Sequence, residues 1–151
     1  ESGNTTSVSF NITVSDVEVP TVSGVPADMQ ISTSPGTCSA NASWIEPVAT
    51  DNCGIQGWAS DHASGDSFTL GLTTVTYQAS DASSNSTSVS FTITVVDDED
   101  PIIATMPGDL TLENSSGACS APATWIEPTA SDNCAAVTLS SDHLLGSEFA
   151  V

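Results

Sequence analysis

Apolar residues alternate with Ser and Thr along much of this chain. In SVSFTITV (88–95), Val89, Phe91, Ile93 and Val95 fall on one face, with Ser88, Ser90, Thr92 and Thr94 opposite. That is the two-residue period of a half-buried β-strand. Val75, Tyr77 and Ala79 repeat the pattern in TTVTYQAS (73–80), and Met29 with Ile31, or Leu110 with Leu112, marks a shorter strand. Cys38, Ala40, Ala42 and Trp44 share a face and leave Asn41 outside. SPGT (34–37) and SDASSN (80–85) supply turn chemistry between the runs. No stretch carries the period of an amphipathic helix. Short strands separated by turns predict small antiparallel β-sandwiches.

The pattern repeats. CSANASWIEPVATDNC (38–53) recurs as CSAPATWIEPTASDNC (119–134), an offset of 81 residues. The same offset carries Pro20 onto Pro101, His62 onto His143, and SVSFNITV (7–14) onto SVSFTITV, with no gap. Residues 17–70 match 98–151 at 23 of 54 positions, and 1–16 match 82–97 at 11 of 16. The chain thus reads as the terminal strand of a repeat (1–16), a complete repeat (17–97) and an incomplete one (98–151). The expected fold is all-β, as tandem immunoglobulin-like sandwiches.

Composition narrows the function. Among 151 residues there are nineteen acids and no Lys or Arg, a formal charge of −19. Phosphate contacts depend on Lys and Arg, so nucleic acid is excluded as a partner, and so is an anionic membrane surface. Schiff-base chemistry and Lys–Asn cross-links are excluded with them. The apolar runs are too short to span a bilayer. No signal peptide is visible, so any targeting segment is removed or lies outside this sequence. Five of seven Asn stand in N-x-[ST] sequons: Asn4, Asn11, Asn41, Asn85 and Asn114. They are candidate glycosylation sites of an extracellular protein, although a chain with 44 Ser and Thr generates some sequons by chance.

Cys38 and Cys53 are separated by fourteen residues, as are Cys119 and Cys134. Two Cys per repeat at one spacing is the pattern of a disulfide inside each repeat in an oxidising compartment. A zinc site needs closely paired ligands, and this spacing with a lone His matches that poorly. TCSANASWIEPVATDNC followed by GLTTVTYQASDASSNSTSVSFTITVVDDEDP resembles the hyalin repeat family. The likeness runs through Pro20 and Pro101, Pro26–Asp28 and Pro107–Asp109, Trp-x-x-Pro, Asp-Asn-Cys and the Tyr77–Asp81 turn. It implies an immunoglobulin-like extracellular module for adhesion or architecture, with no catalytic activity. The chain departs from the family pattern in lacking basic residues and in placing Ser84 where glycine is frequent.

The remaining candidates are weighed on their surroundings. His62 and His143 each follow an Asp, but neighbours on a strand face opposite ways, so neither pair makes a natural dyad. Trp44 and Trp125 are expected in the core beside the cysteines; Trp58 suits either a core or a contact surface. Glu46, Glu127, Asp51, Asp132, Asp61 and Asp81 form a scattered acidic set with no glycosidase context. The run Asp97, Asp98, Glu99, Asp100 stands at the seam between repeats, with a weaker counterpart in Asp16 and Glu18. It is a candidate Ca²⁺ site, aided by loops such as Asp51–Asn52, or a hydrated linker. Val8, Phe10, Ile12 and Val14 carry a strand pattern that the 98–151 repeat lacks. The expected role is therefore a fibre or matrix subunit that joins copies of itself head-to-tail by donating this strand. The alternative is an adhesin segment binding glycan or protein through its loops.

Overall fold

The computed structural model describes residues 2–151. Every regular element among them is a β-strand, and no helix is long and apolar enough to cross a membrane. The first repeat holds β1 (Thr21–Ser23), β2 (Met29–Ser32), β3 (Ser39–Asn41), β4 (Val48–Thr50), β5 (Ile55–Ser60), β6 (Ser67–Thr69), β7 (Gly71–Asp81) and β8 (Ser86–Val96). The second holds β9 (Ile102–Ala104), β10 (Ser120–Pro122), β11 (Thr129–Ser131) and β12 (Glu148–Ala150). A four-stranded sheet runs β2-β8-β7-β5, and β1 pairs with β4 and β3 with β6. The 81-residue period extends to register. Thr21 faces Thr50 as Ile102 faces Ser131, and Ser39 faces Thr69 as Ser120 faces Ala150.

Two compact units result. One runs to Met29 and includes Ala42–Asp66 and Thr73–Ile93; the other comprises Gln30–Asn41, Ser67–Leu72 and Thr94–Val151. The first has its core in Ala42, Val75, Tyr77, Ala79, Phe91 and Ile93; the second in Ala40, Phe68, Val95 and Ala123. The alternation predicted for β7 and β8 is realised, since Val75 and Ile93 lose all exposure while Ser88 and Ser90 stay in solvent. Each such side chain contributes about 1.5–3 kcal/mol on burial.

Two expected strands do not form: residues 2–20 contain none, and neither do 110–113, the counterpart of β2. Residues 136–141, the counterpart of β5, form none either. The cause is the same in each case. An alternating sequence becomes a strand only where a neighbour accepts its backbone hydrogen bonds. In the first repeat β2 and β5 flank the β8-β7 pair, and no described segment fills that place beside 110–113 and 136–141.

The β7–β8 turn is built on one side chain. Asp81 Oδ1 accepts from the backbone N–H of Ser83 (2.9 Å) and Asn85 (2.8 Å), and Oδ2 accepts from Asn85 Nδ2 (2.7 Å). Ser84 within it has φ +72°, a left-handed conformation that disfavours any residue with a Cβ. Ser84→Gly is expected to raise stability by about 0.5–1 kcal/mol, because relief of strain outweighs the added freedom of the unfolded chain. A thermal melt that falls on this substitution would contradict that assignment of strain.

Candidate functional site

Three carboxylates from distant parts of the sequence meet at one end of the first repeat. Asp16 comes from the segment before β1, Asp51 from the β4–β5 loop and Asp81 from the β7–β8 turn. One ligating oxygen of each lies within 4.8 Å of the other two. Local hydrogen bonds hold them there. Asp51 Oδ1 accepts from Cys53 N–H (2.9 Å), Asp16 Oδ1 accepts from Glu18 N–H (3.1 Å), and Asn85 Nδ2 donates to the Asp16 carbonyl (3.3 Å). The remaining oxygens, Asp16 Oδ2 and Asp51 Oδ2, are buried and unpaired. Burial opposes ionisation of Asp81, yet the hydrogen bonds from Asn85 and Ser83 outweigh it and hold its pKa below the ordinary carboxylate value. With no Lys or Arg in the chain, no such side chain neutralises the cluster. Three convergent hard oxygens suit Ca²⁺, whose shell of six to eight oxygens leaves room for carbonyls and water.

The acidic run at the seam behaves otherwise. Asp98 Oδ2 accepts from Ser32 Oγ–H (2.7 Å) and Glu99 Oε1 from Gly36 N–H (2.8 Å), while Asp97 Oδ1 caps Glu99 N–H (3.2 Å). Asp100 and Glu18 are exposed. Of the six acids that the sequence put forward, only Asp16 enters the three-carboxylate cluster. Asp51, whose loop was the expected aid to the seam, and Asp81, which read as scattered, complete it. Consecutive residues of an extended run point apart, so four adjacent acids converge less well than three drawn from separate loops.

The cysteines are thiols in this structure, with Cys53 and Cys119 exposed and Cys38 and Cys134 partly buried. Cys38 Sγ–H donates to the Asn133 carbonyl, and Cys134 Sγ approaches the Thr37 carbonyl at 3.6 Å. Burial, the Cys38 thiol and the Asp97 carboxylate push the Cys134 thiol up to about 12. Cys53 is raised too, first by its hydrogen bond to Asp16, the residue 81 positions before Asp97.

The second repeat has an open apolar groove of about 520 Å³, lined by Leu110, Leu112, Trp125 and Phe149 among others. Phe149 is 38% exposed, whereas its counterpart Phe68 in the first repeat is 2% exposed. The matching surplus lies in the N-terminal segment. Val8, Phe10, Ile12 and Val14 are 78–94% exposed, while the equivalent Phe91, Ile93 and Val95 of β8 are 3% exposed or less.

The HYR domain family model matches residues 15–95, a span that takes in every strand of the first repeat together with Asp16, Asp51 and Asp81. This chain belongs to the HYR domain family. It is 37% identical over 146 residues to hyalin of Strongylocentrotus purpuratus (93% of this chain, 12% of that protein). It is 36% identical over 159 residues to hyalin of Lytechinus variegatus (100% and 30%). It is 35% identical over 141 residues to the mouse sushi, von Willebrand factor type A, EGF and pentraxin domain-containing protein 1 (89% and 4%). The chain therefore spans less than a third of the length of these relatives. No solved structure matches it.

In the HYR repeat the other candidate side chains have structural partners. Glu46 of WIEP accepts from Tyr77 Oη–H and from Ser64 N–H (3.2 Å), and Trp44 Nε1–H donates to Tyr77 Oη (2.7 Å). Burial, with the Glu46 hydrogen bond, raises the Tyr77 pKa. Trp44 stands edge-on to Phe91 at 5.3 Å, and Trp58, 37% exposed, stacks on Tyr77 at 5.3 Å. His62 lies 3.9 Å from Asp66 and not against Asp61, whose Oδ1 accepts from Thr76 N–H (2.8 Å). His143 packs on Phe149, and its Nε2 lies 3.9 Å from Asp142 Oδ2, so this adjacent pair does meet, in an exposed bend and not on a strand. Asn4, Asn11, Asn41 and Asn114 are exposed. Asn85 is not equivalent to them, because the amide nitrogen that would carry a glycan holds the Asp81 turn.

Proposed function

We propose that this HYR chain is a non-enzymatic structural subunit of an extracellular fibre or matrix. Copies assemble head-to-tail, the N-terminal strand (1–16) of one completing the open 98–151 repeat of the next. The observation that carries this reading is the match between an exposed strand pattern and an unfilled groove. The first repeat supplies the template: β8, with the same alternation, occupies the sheet position beside β2. Strand addition satisfies backbone and apolar groups together. A donor at one end and an acceptor at the other give an interface that does not close on itself, hence a filament. The names of the relatives, hyalin in particular, are consistent with extracellular architecture. A synthetic peptide of residues 2–16, in excess over the chain, is expected to occupy the groove and stop elongation. Filament length on electron micrographs is the readout, and a scrambled peptide with the same effect would count against the mechanism.

The same reading gives Asp16, Asp51 and Asp81 to calcium. An ion there ties the segment leading into β1 to two loops of the repeat, and so stiffens the seam at which one repeat follows another. Its support is the convergence of the three carboxylates, with Asp16 Oδ2 and Asp51 Oδ2 buried, in a chain that has no Lys or Arg.

A further inference from the structure

The repeated Cys spacing points to a disulfide inside each repeat, but the surroundings of Cys38 and Cys134 point elsewhere. Residues 37–38 and 133–134 clasp one another reciprocally. Asn133 Nδ2 donates to the Thr37 carbonyl (3.0 Å), the Asn133 carbonyl accepts from Cys38 Sγ–H, and Cys134 Sγ lies 3.6 Å from the Thr37 carbonyl. Both cysteines belong to one compact unit. We propose that Cys38 and Cys134 form a disulfide across the seam, a covalent staple linking the first cysteine of one repeat to the second cysteine of the next.

The chemistry is thiol–disulfide exchange. A low-molecular-weight disulfide, such as oxidised glutathione, forms a mixed disulfide with one cysteine, releasing one thiol. The second cysteine attacks as thiolate and releases the other. One S–S bond forms, two protons and two electrons leave the protein thiols, and the reagent is reduced to two thiols. The mutual influence of the two thiols and the burial of Cys134 agree with sulfurs held side by side.

The 81-residue period extends the assignment. Cys53 stands 81 residues before Cys134, and Cys119 81 residues after Cys38. The partner of Cys53 is therefore the first cysteine of a preceding repeat, and Cys119 awaits the second cysteine of a following one. If copies join head-to-tail, which rests on the function proposed above, Cys119 of one chain meets Cys53 of its neighbour and each subunit contact becomes covalent.

The test uses the full chain secreted from an oxidising compartment, deglycosylated, alkylated without reduction and cut on the N-terminal side of Asp. Trypsin has no site, but Asp cleavage places the four cysteines in separate peptides: 28–50, 51–60, 109–131 and 132–141. The expected product is 28–50 joined to 132–141, two hydrogens lighter than their sum. A 28–50 peptide joined to 51–60, or four alkylated thiols, overturns the proposal. This result does not depend on polymerisation, since the staple lies within one chain. Polymers that form and fall apart in detergent without reductant would remove only the intersubunit extension. Cys53→Ser is expected to abolish detergent-resistant ladders and leave the 28–50/132–141 product intact.

Discussion

Replacing both Phe10 and Ile12 with Asp is expected to leave the chain monomeric under conditions in which the unaltered chain polymerises. In β8 the equivalent side chains are 3% and 0% exposed, whereas Phe10 and Ile12 are 82% and 78% exposed. Moving two such side chains from water into the groove contributes about 3–6 kcal/mol. Losing it weakens association by roughly 10²–10⁴-fold. A carboxylate carried into the same groove adds a desolvation cost that no Lys or Arg relieves. The positions lie outside the folded core, so the melting temperature of the isolated monomer is expected to stay unchanged. Sedimentation separates the outcomes. Polymers of normal length from the doubly substituted chain would show that the 1–16 segment is not the donated strand.

Saturating calcium is expected to raise the melting temperature, and Asp51→Asn to abolish most of the rise. An ion at one hundred times its dissociation constant stabilises by about 2.7 kcal/mol, which for a chain of this size corresponds to roughly 5–10 °C. The mechanism predicts the loss. Asp51 Oδ2 is buried without a protein partner, so in the calcium-free chain Asn costs little and even relieves repulsion, while in the calcium-bound chain it removes a charged ligand. The two proteins therefore diverge only when calcium is present. A scan in chelator and in calcium, for both, measures this. An equal rise in each, or none in either, would remove the cation from the account.

The alternation of Val, Phe and Ile with Ser and Thr was enough to place β7 and β8, since a two-residue period has one structural meaning when one face is buried. The repeat was legible for a related reason: an ungapped offset preserves register, and β9 with β11 reproduces β1 with β4 residue for residue. Pattern alone did not tell which alternating segments find a partner. Leu110 and Leu112 look as strand-like as Met29 and Ile31, yet only the latter lie beside β8. Asp16 and the Asp51 loop were readable as cation candidates, but their meeting with Asp81 was not, because the three come from a linker, a loop and a turn. Tertiary folding brings them together, while the conspicuous run at 97–100 disperses into hydrogen bonds with Ser32 and Gly36. Ser84 was flagged by its departure from the family's glycine, and its φ of +72° supplies the physical content of that departure.

The position of β8 has a mechanical consequence. It is flanked by β2 on one side and β7 on the other, and Val96 leads directly into the seam at Asp97. Tension passing from the first repeat into the seam would run through this strand, along its length. Both ladders of hydrogen bonds are then loaded in shear at once, and they must yield together. An edge strand pulled from its end would instead unzip one bond at a time. In the fibre proposed above, strain energy would thus be shared across the four-stranded sheet of the first repeat.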